Sequence, residues 1–120
     1  MLFIVEDDKV ISEFMCLILG DKYDFELISF KDLQLKTEAI QLKKKEIVVD
    51  ISRNPNYLLI VNRLKKLYGN LESVNFIVNS EQYKSLNRDR ETADKITVIR
   101  SVGDLESFFN SKLNDFRRQL

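Results

Sequence analysis

The chain has 120 residues, 44% of them hydrophobic and 32% charged, the balance of one ordinary globular domain able to bury a hydrophobic core. Its 19 basic and 19 acidic residues cancel, so no overall field draws it to nucleic acid or an anionic membrane, and no apolar run approaches the roughly 20 residues of a membrane span. Histidine is absent, Cys16 is the lone cysteine, and Gly20, Gly69 and Gly103 lie far apart; Cys/His metal clusters, disulfides, base-activated nucleophile triads and glycine-rich phosphate loops are thereby excluded.

In chain order, the first predicted strand runs from Leu2 to Glu6 (LFIVE), with no signal-peptide pattern ahead of it, so a cytoplasmic location is expected. Three consecutive acids follow, Glu6, Asp7 and Asp8. A helix is then predicted from the i, i+3, i+4 spacing of Val10, Ile11, Phe14, Met15, Ile18 and Leu19, with Asp8 placed to cap its start and Gly20 its end. Within FMCLIL, Cys16 reads as a small core residue. The second strand, Phe25 to Phe30 (FELISF), precedes the helix KDLQLKTEAIQLKKK, whose Lys43, Lys44 and Lys45 suit a solvated helix end. The third strand is Glu46 to Asp50 (EIVVD). Asn54 as N-cap and Pro55 at the first helical position open a helix with Tyr57, Ile60, Val61, Leu64 and Tyr68 on one face, which Gly69 stops.

The fourth strand is Val74 to Asn79 (VNFIVN). From Glu81 to Lys95 the apolar residues are few (Tyr83, Leu86, Ala93), which predicts a fourth helix that is short, shifted or partly loop. A fifth strand, Ile96 to Arg100 (ITVIR), leads into a last helix with Leu105, Phe108, Phe109, Leu113 and Phe116 at helical spacing, as core residues. Five strands alternating with five helices predict an α/β fold with a parallel sheet covered on both faces. One domain spanning 1–120 is expected, with no repeat, linker or output domain.

In such a sheet, ligands bind outside the carboxyl ends of the strands. There the predicted strands deliver Glu6 and Asp7, Asp50, and Ser80. Three carboxylates sharing one crevice cannot all stay ionised cheaply: one takes up a proton, or a cation compensates them. Mg2+, with its preference for oxygen ligands and for sites completed by phosphate, is the natural candidate.

The stretch IVEDD and the strand IVVD at 47–50, with Asp7 and Asp50 43 positions apart, Asp50 and Ser80 30 apart, and Pro55 shortly after Asp50, resemble the receiver domains of bacterial two-component response regulators. The resemblance covers nearly the whole chain. It implies a single-domain, doubly wound (βα)5 flavodoxin-like fold with sheet order 2-1-3-4-5. It also implies that Asp50 accepts a phosphoryl group as a carboxylate nucleophile, giving an acyl phosphate. Glu6, Asp7, Asp50 and the backbone carbonyl of Ser52 would hold Mg2+, and the Ser80 hydroxyl would bond a phosphoryl oxygen. The implied partners are a sensor histidine kinase or phosphotransfer protein as donor and an unidentified downstream protein, with a homodimer left open. The implied role is signalling in a phosphorelay rather than enzymatic turnover, beyond self-phosphorylation from small donors and autodephosphorylation.

Three positions depart from the family. No Lys-Pro occurs in TVIRSVGDL, and counting about 22 residues from Ser80 reaches Val102; Arg100 is the nearest cation and aligns with the missing Lys if the preceding segment is about two residues shorter. Val98 stands where an aromatic switch residue is expected, and Glu81 where a small residue follows the hydroxyl. These departures motivate an alternative, a degenerate pseudo-receiver acting as a phosphorylation-independent interaction module. A flavin carrier or aspartate-nucleophile phosphatase on the same fold is disfavoured, since the first strand lacks a hydroxyl-rich phosphate loop and no DxD motif occurs.

Overall fold

The computed structural model describes residues 2–20, 23–36, 46–68 and 74–119. In chain order these form β1 (Leu2–Val5), α1 (Lys9–Leu19), β2 (Phe25–Ile28), α2 (Phe30–Lys36), β3 (Glu46–Asp50), α3 (Tyr57–Tyr68), β4 (Val74–Val78), α4 (Ser80–Leu86), α5 (Arg90–Ala93), β5 (Ile96–Val98) and α6 (Val102–Gln119). All strand pairs are parallel and the sheet order is β2-β1-β3-β4-β5, the flavodoxin-like arrangement. Among the described residues no helix is long and apolar enough to cross a membrane.

The two-residue period of the strands divides the core between the faces of the sheet. Phe3 and Val5 of β1, Ile47 and Val49 of β3, and Phe76 and Val78 of β4 face α2, α3 and α4, packing with Leu33, Val61, Leu64 and Leu86. Their neighbours Leu2, Ile4, Val48 and Ile77 face the opposite way, onto Met15 and Leu19 of α1 and Leu105 and Phe109 of α6. Because both faces are covered, β1 and β3 read as continuous apolar runs instead of alternating ones.

Several boundaries differ from the sequence expectations, for local reasons. The second and fourth strands stop at Ile28 and Val78 because the next residue turns to cap a helix: Ser29 Oγ accepts the Asp32 N–H at 3.1 Å, and Asn79 Oδ1 accepts the Gln82 N–H at 2.9 Å. The fifth strand ends at Val98, so Arg100 lies past it. Asn54 Oδ1 does accept the Asn56 N–H (2.9 Å), yet regular helical pairing opens with Ile60 N–H to the Asn56 carbonyl, so α3 starts at Tyr57. The segment expected to hold a short or shifted fourth helix holds two, α4 and α5. Asp89 breaks it, capping α5 through the Glu91 N–H and taking the Lys65 ammonium and the Thr92 hydroxyl on the same carboxylate.

Cys16 is exposed, contrary to the core placement expected from FMCLIL. Six consecutive apolar residues span more than a full helical turn, so the run cannot all face the sheet. Met15 and Leu19 are buried, whereas Leu17 is 80% and Val10 61% exposed. The caps of α1 agree with expectation: Asp8 Oδ1 accepts the N–H groups of Val10 and Ile11, and Gly20, at φ 45°, donates its N–H to the Cys16 carbonyl. Residues 37–45 and Gly69, and the side chains of Tyr68, Leu113 and Phe116, lie outside the described residues.

Candidate functional site

The acid run that follows β1 is spread by backbone N–H groups. Glu6 Oε1 accepts the Asp8 N–H at 3.0 Å, Asp7 Oδ1 accepts the Phe30 N–H at the head of α2 at 3.0 Å, and Asp8 caps α1. Helix starts favour negative charge, so two of the three acids sit where a partial positive charge meets them. Glu6 is the exception. It is 9% exposed and its Oε2 is buried without a partner. Its carboxyl is pushed up to about 9, first by burial and then by the Asp50 carboxylate, which both accepts from its acid form and repels its charge; the Asp8 N–H pulls the other way.

Asp50 closes β3 half-buried, its Oδ1 accepting both the backbone N–H of Ser52 (3.0 Å) and the Ser52 hydroxyl (2.5 Å). Glu6, Asp7, Asp8, Asp50, Arg53 and the 54–56 turn line one cleft of about 360 Å³ at the carboxyl edge of the sheet. Arg53 lies at its mouth, paired with Asp8 Oδ2. That pair, after the α1 N–H groups, holds the Asp8 carboxyl below its usual range.

Ser80, the first residue of α4, does not line this cleft; its exposed hydroxyl accepts from Arg100 Nε at 3.4 Å. Arg100, the cation nearest the position of the missing Lys, thus reaches the Ser80 hydroxyl, while its backbone N–H donates to Asp104 Oδ2 at 2.9 Å. Glu81 points outward, its side chain 88% exposed and 3.8 Å from Lys84, so its charge is turned away from the strand ends.

A pair of side chains that the sequence reading did not single out ties the two strand ends together. Asn79 and Gln82 form a reciprocal capping box at the start of α4. Their spare amides reach across the sheet edge: Asn79 Nδ2 donates to the Ser52 carbonyl and Gln82 Nε2 to the Ile51 carbonyl, each at 2.7 Å. The N-x-x-Q spacing was the available signal for the cap. Arg53 left no comparable trace.

The orphaned Glu6 Oε2 beside Asp50 is the feature that fits a divalent cation. Two facing carboxylates are a donor set that Mg2+ accepts, with water and phosphate oxygens completing its shell. Asp7 stands at the rim with one oxygen already committed to α2, and one hydrogen bond already occupies the Ser52 carbonyl. Among the described residues no three or more carboxylates gather as a ready-made metal cluster, so Glu6 and Asp50 are the pair that meets.

Fold and cleft together define a doubly wound α/β domain with a carboxylate-lined site at the carboxyl edge of its sheet. Compared with known proteins, the chain matches no family model, no curated protein and no solved structure.

Proposed function

We propose that this chain is a phosphoacceptor module of the receiver type, taking a phosphoryl group on Asp50 and signalling through protein contacts. The observation that carries the reading is the buried Glu6 carboxyl beside Asp50, two acids with no donor on Glu6 Oε2, at the position where a doubly wound sheet binds its ligands. In the reaction, a carboxylate oxygen of Asp50 attacks phosphorus, and the bond to the donor breaks with its electron pair leaving on the donor. The leaving group is acetate when acetyl phosphate is the donor, or the imidazole nitrogen when the donor is a phosphohistidine of a kinase or phosphotransfer protein. A divalent cation held by Glu6 and Asp50, with Asp7 at the rim, would supply positive charge to the transferring oxygens. Ser52 orients Asp50 through its N–H and hydroxyl, and Ser80 with Arg100 offers a hydroxyl and a guanidinium on the neighbouring strand end. The cytoplasm is the compartment that suits such a partner.

Incubation with Mg2+ and acetyl phosphate is expected to give a phosphoryl adduct on the intact chain by mass spectrometry, abolished by Asp50→Ala. No adduct, and no response of the amide spectrum to Mg2+ with fluoroberyllate, would refute the reading.

A second reading has its own support. Val98 leaves β5 without an aromatic ring, and the loop after Asp50 is already tied by Asn79 and Gln82. On that reading the domain is a phosphorylation-independent interaction module, and Asp50→Ala leaves partner binding intact.

A further inference from the structure

We propose that Arg53 is the side chain that receives the anion: it leaves Asp8 and clamps the phosphoryl oxygens on Asp50. The inference rests on the phosphoacceptor reading and adds to it a residue for which neither the composition nor the resemblance gave a role. Arg53 is the one cation among the described residues lining the cleft, and it follows Asp50 by three positions on the same turn. Arg100 is engaged at Ser80, outside that lining.

The arrangement makes the exchange inexpensive. The Arg53 side chain is 63% exposed and its only described partner is Asp8, and an exposed ion pair of this kind is weakly held because solvent screens it. A phosphoryl dianion instead offers the guanidinium fork two oxygens at once, the stronger charge-assisted geometry. Asp8 keeps its place when Arg53 departs, because its other oxygen, Oδ1, remains fixed by the N–H groups of Val10 and Ile11. Asp8 thus parks the arginine at the cleft mouth and competes with the incoming anion for it.

The test is a double-mutant cycle on the purified chain, with Asp50→Ala as control. Mg2+ alone, and then fluoroberyllate at saturating Mg2+, are titrated by calorimetry and amide spectra. Arg53→Ala is expected to weaken fluoroberyllate about tenfold while Mg2+ binds as well as or better than in the parent, since a positive charge has left the cleft. Asp8→Asn retains a good helix cap and is expected to tighten fluoroberyllate by releasing Arg53. That gain should shrink in the Arg53→Ala background, and Arg53→Lys should restore part of the loss. Equal fluoroberyllate affinity in Arg53→Ala and the parent, or a parallel loss of Mg2+ and fluoroberyllate, would overturn the role of Arg53 while leaving the phosphoacceptor reading in place. A parent chain that binds neither would overturn both.

Discussion

The two ends of β3 answer a buried carboxylate in opposite ways. At its start, Glu46 has one oxygen, Oε2, buried without a partner, and its other oxygen receives the Lys112 ammonium of α6 at 3.1 Å, with Phe108 5.8 Å beneath that ammonium. At its end, Asp50 faces Glu6, whose Oε2 is likewise buried and unpartnered, but here the neighbour is a second acid. Burial alone therefore does not set the two ends apart. The sign of the neighbouring charge does: one end is a pinned ion pair between sheet and helix, the other is a pair of like charges whose repulsion a proton or cation must relieve.

The comparison can be broken most forcefully at Lys112. Lys112→Met leaves Glu46 partly buried and unpaired, and unfolding in urea at neutral pH should show a loss of about 2–3 kcal/mol; an unchanged midpoint would mean the ion pair holds nothing. At the other end the sign reverses. Asp50→Asn removes the charge that repels ionised Glu6 and should stabilise the cation-free chain by about 1 kcal/mol at alkaline pH, where Glu6 loses its proton, while abolishing any rise in melting temperature on adding Mg2+.

The pH dependence follows from the same pair. With no cation bound, Glu6 keeps its proton up to about 9 in the folded chain against an ordinary value of 4.5. The folded state therefore holds the extra proton across that window. The associated stability is complete below the lower value and is lost as pH rises through the window. Thermal melts in EDTA should fall steadily over that range; saturating Mg2+ should flatten the trend, and Asp50→Asn should narrow the range while burial keeps part of it. The Glu46 end has a separate signature: Tyr23, raised above its ordinary 10.0 by burial and then by Glu46, loses its contribution only in alkali beyond that value. The smallest effect is expected from Ser52→Ala, which removes the hydroxyl bond to Asp50 but keeps the backbone N–H; a cost of about 0.5–1 kcal/mol should register in the same urea titrations.

What could be read from the sequence was what local patterns encode. The limits of β3, the Asp8 and Gly20 caps of α1, and the two-faced sheet follow from apolar runs and cap residues a few positions apart. Cys16 was misplaced because a fully apolar stretch has no period to show which side faces inward. The acid run was harder still. Its neighbours in sequence suggested mutual repulsion, whereas Asp7 is held by an N–H 23 residues away and Asp8 by the helix it starts; all line one cleft with Asp50, and Glu6 is the acid that Asp50 pushes upward. Arg53 escaped notice because a single basic residue in a polar turn has no periodicity or motif; only the fold brings it to Asp8, 45 residues away, in the cleft that Asp50 also lines.

The amide pair at the start of α4 makes two loops into a single mechanical part. Asn79 and Gln82 grip the Ser52 and Ile51 carbonyls, so the backbone just beyond the phosphoacceptor candidate cannot lift without tugging the first turn of the adjoining helix or snapping two short bonds. A disturbance at Asp50 has a stiff lever to α4 made of main chain and carboxamides, in a sheet whose outer strand offers no ring to swing.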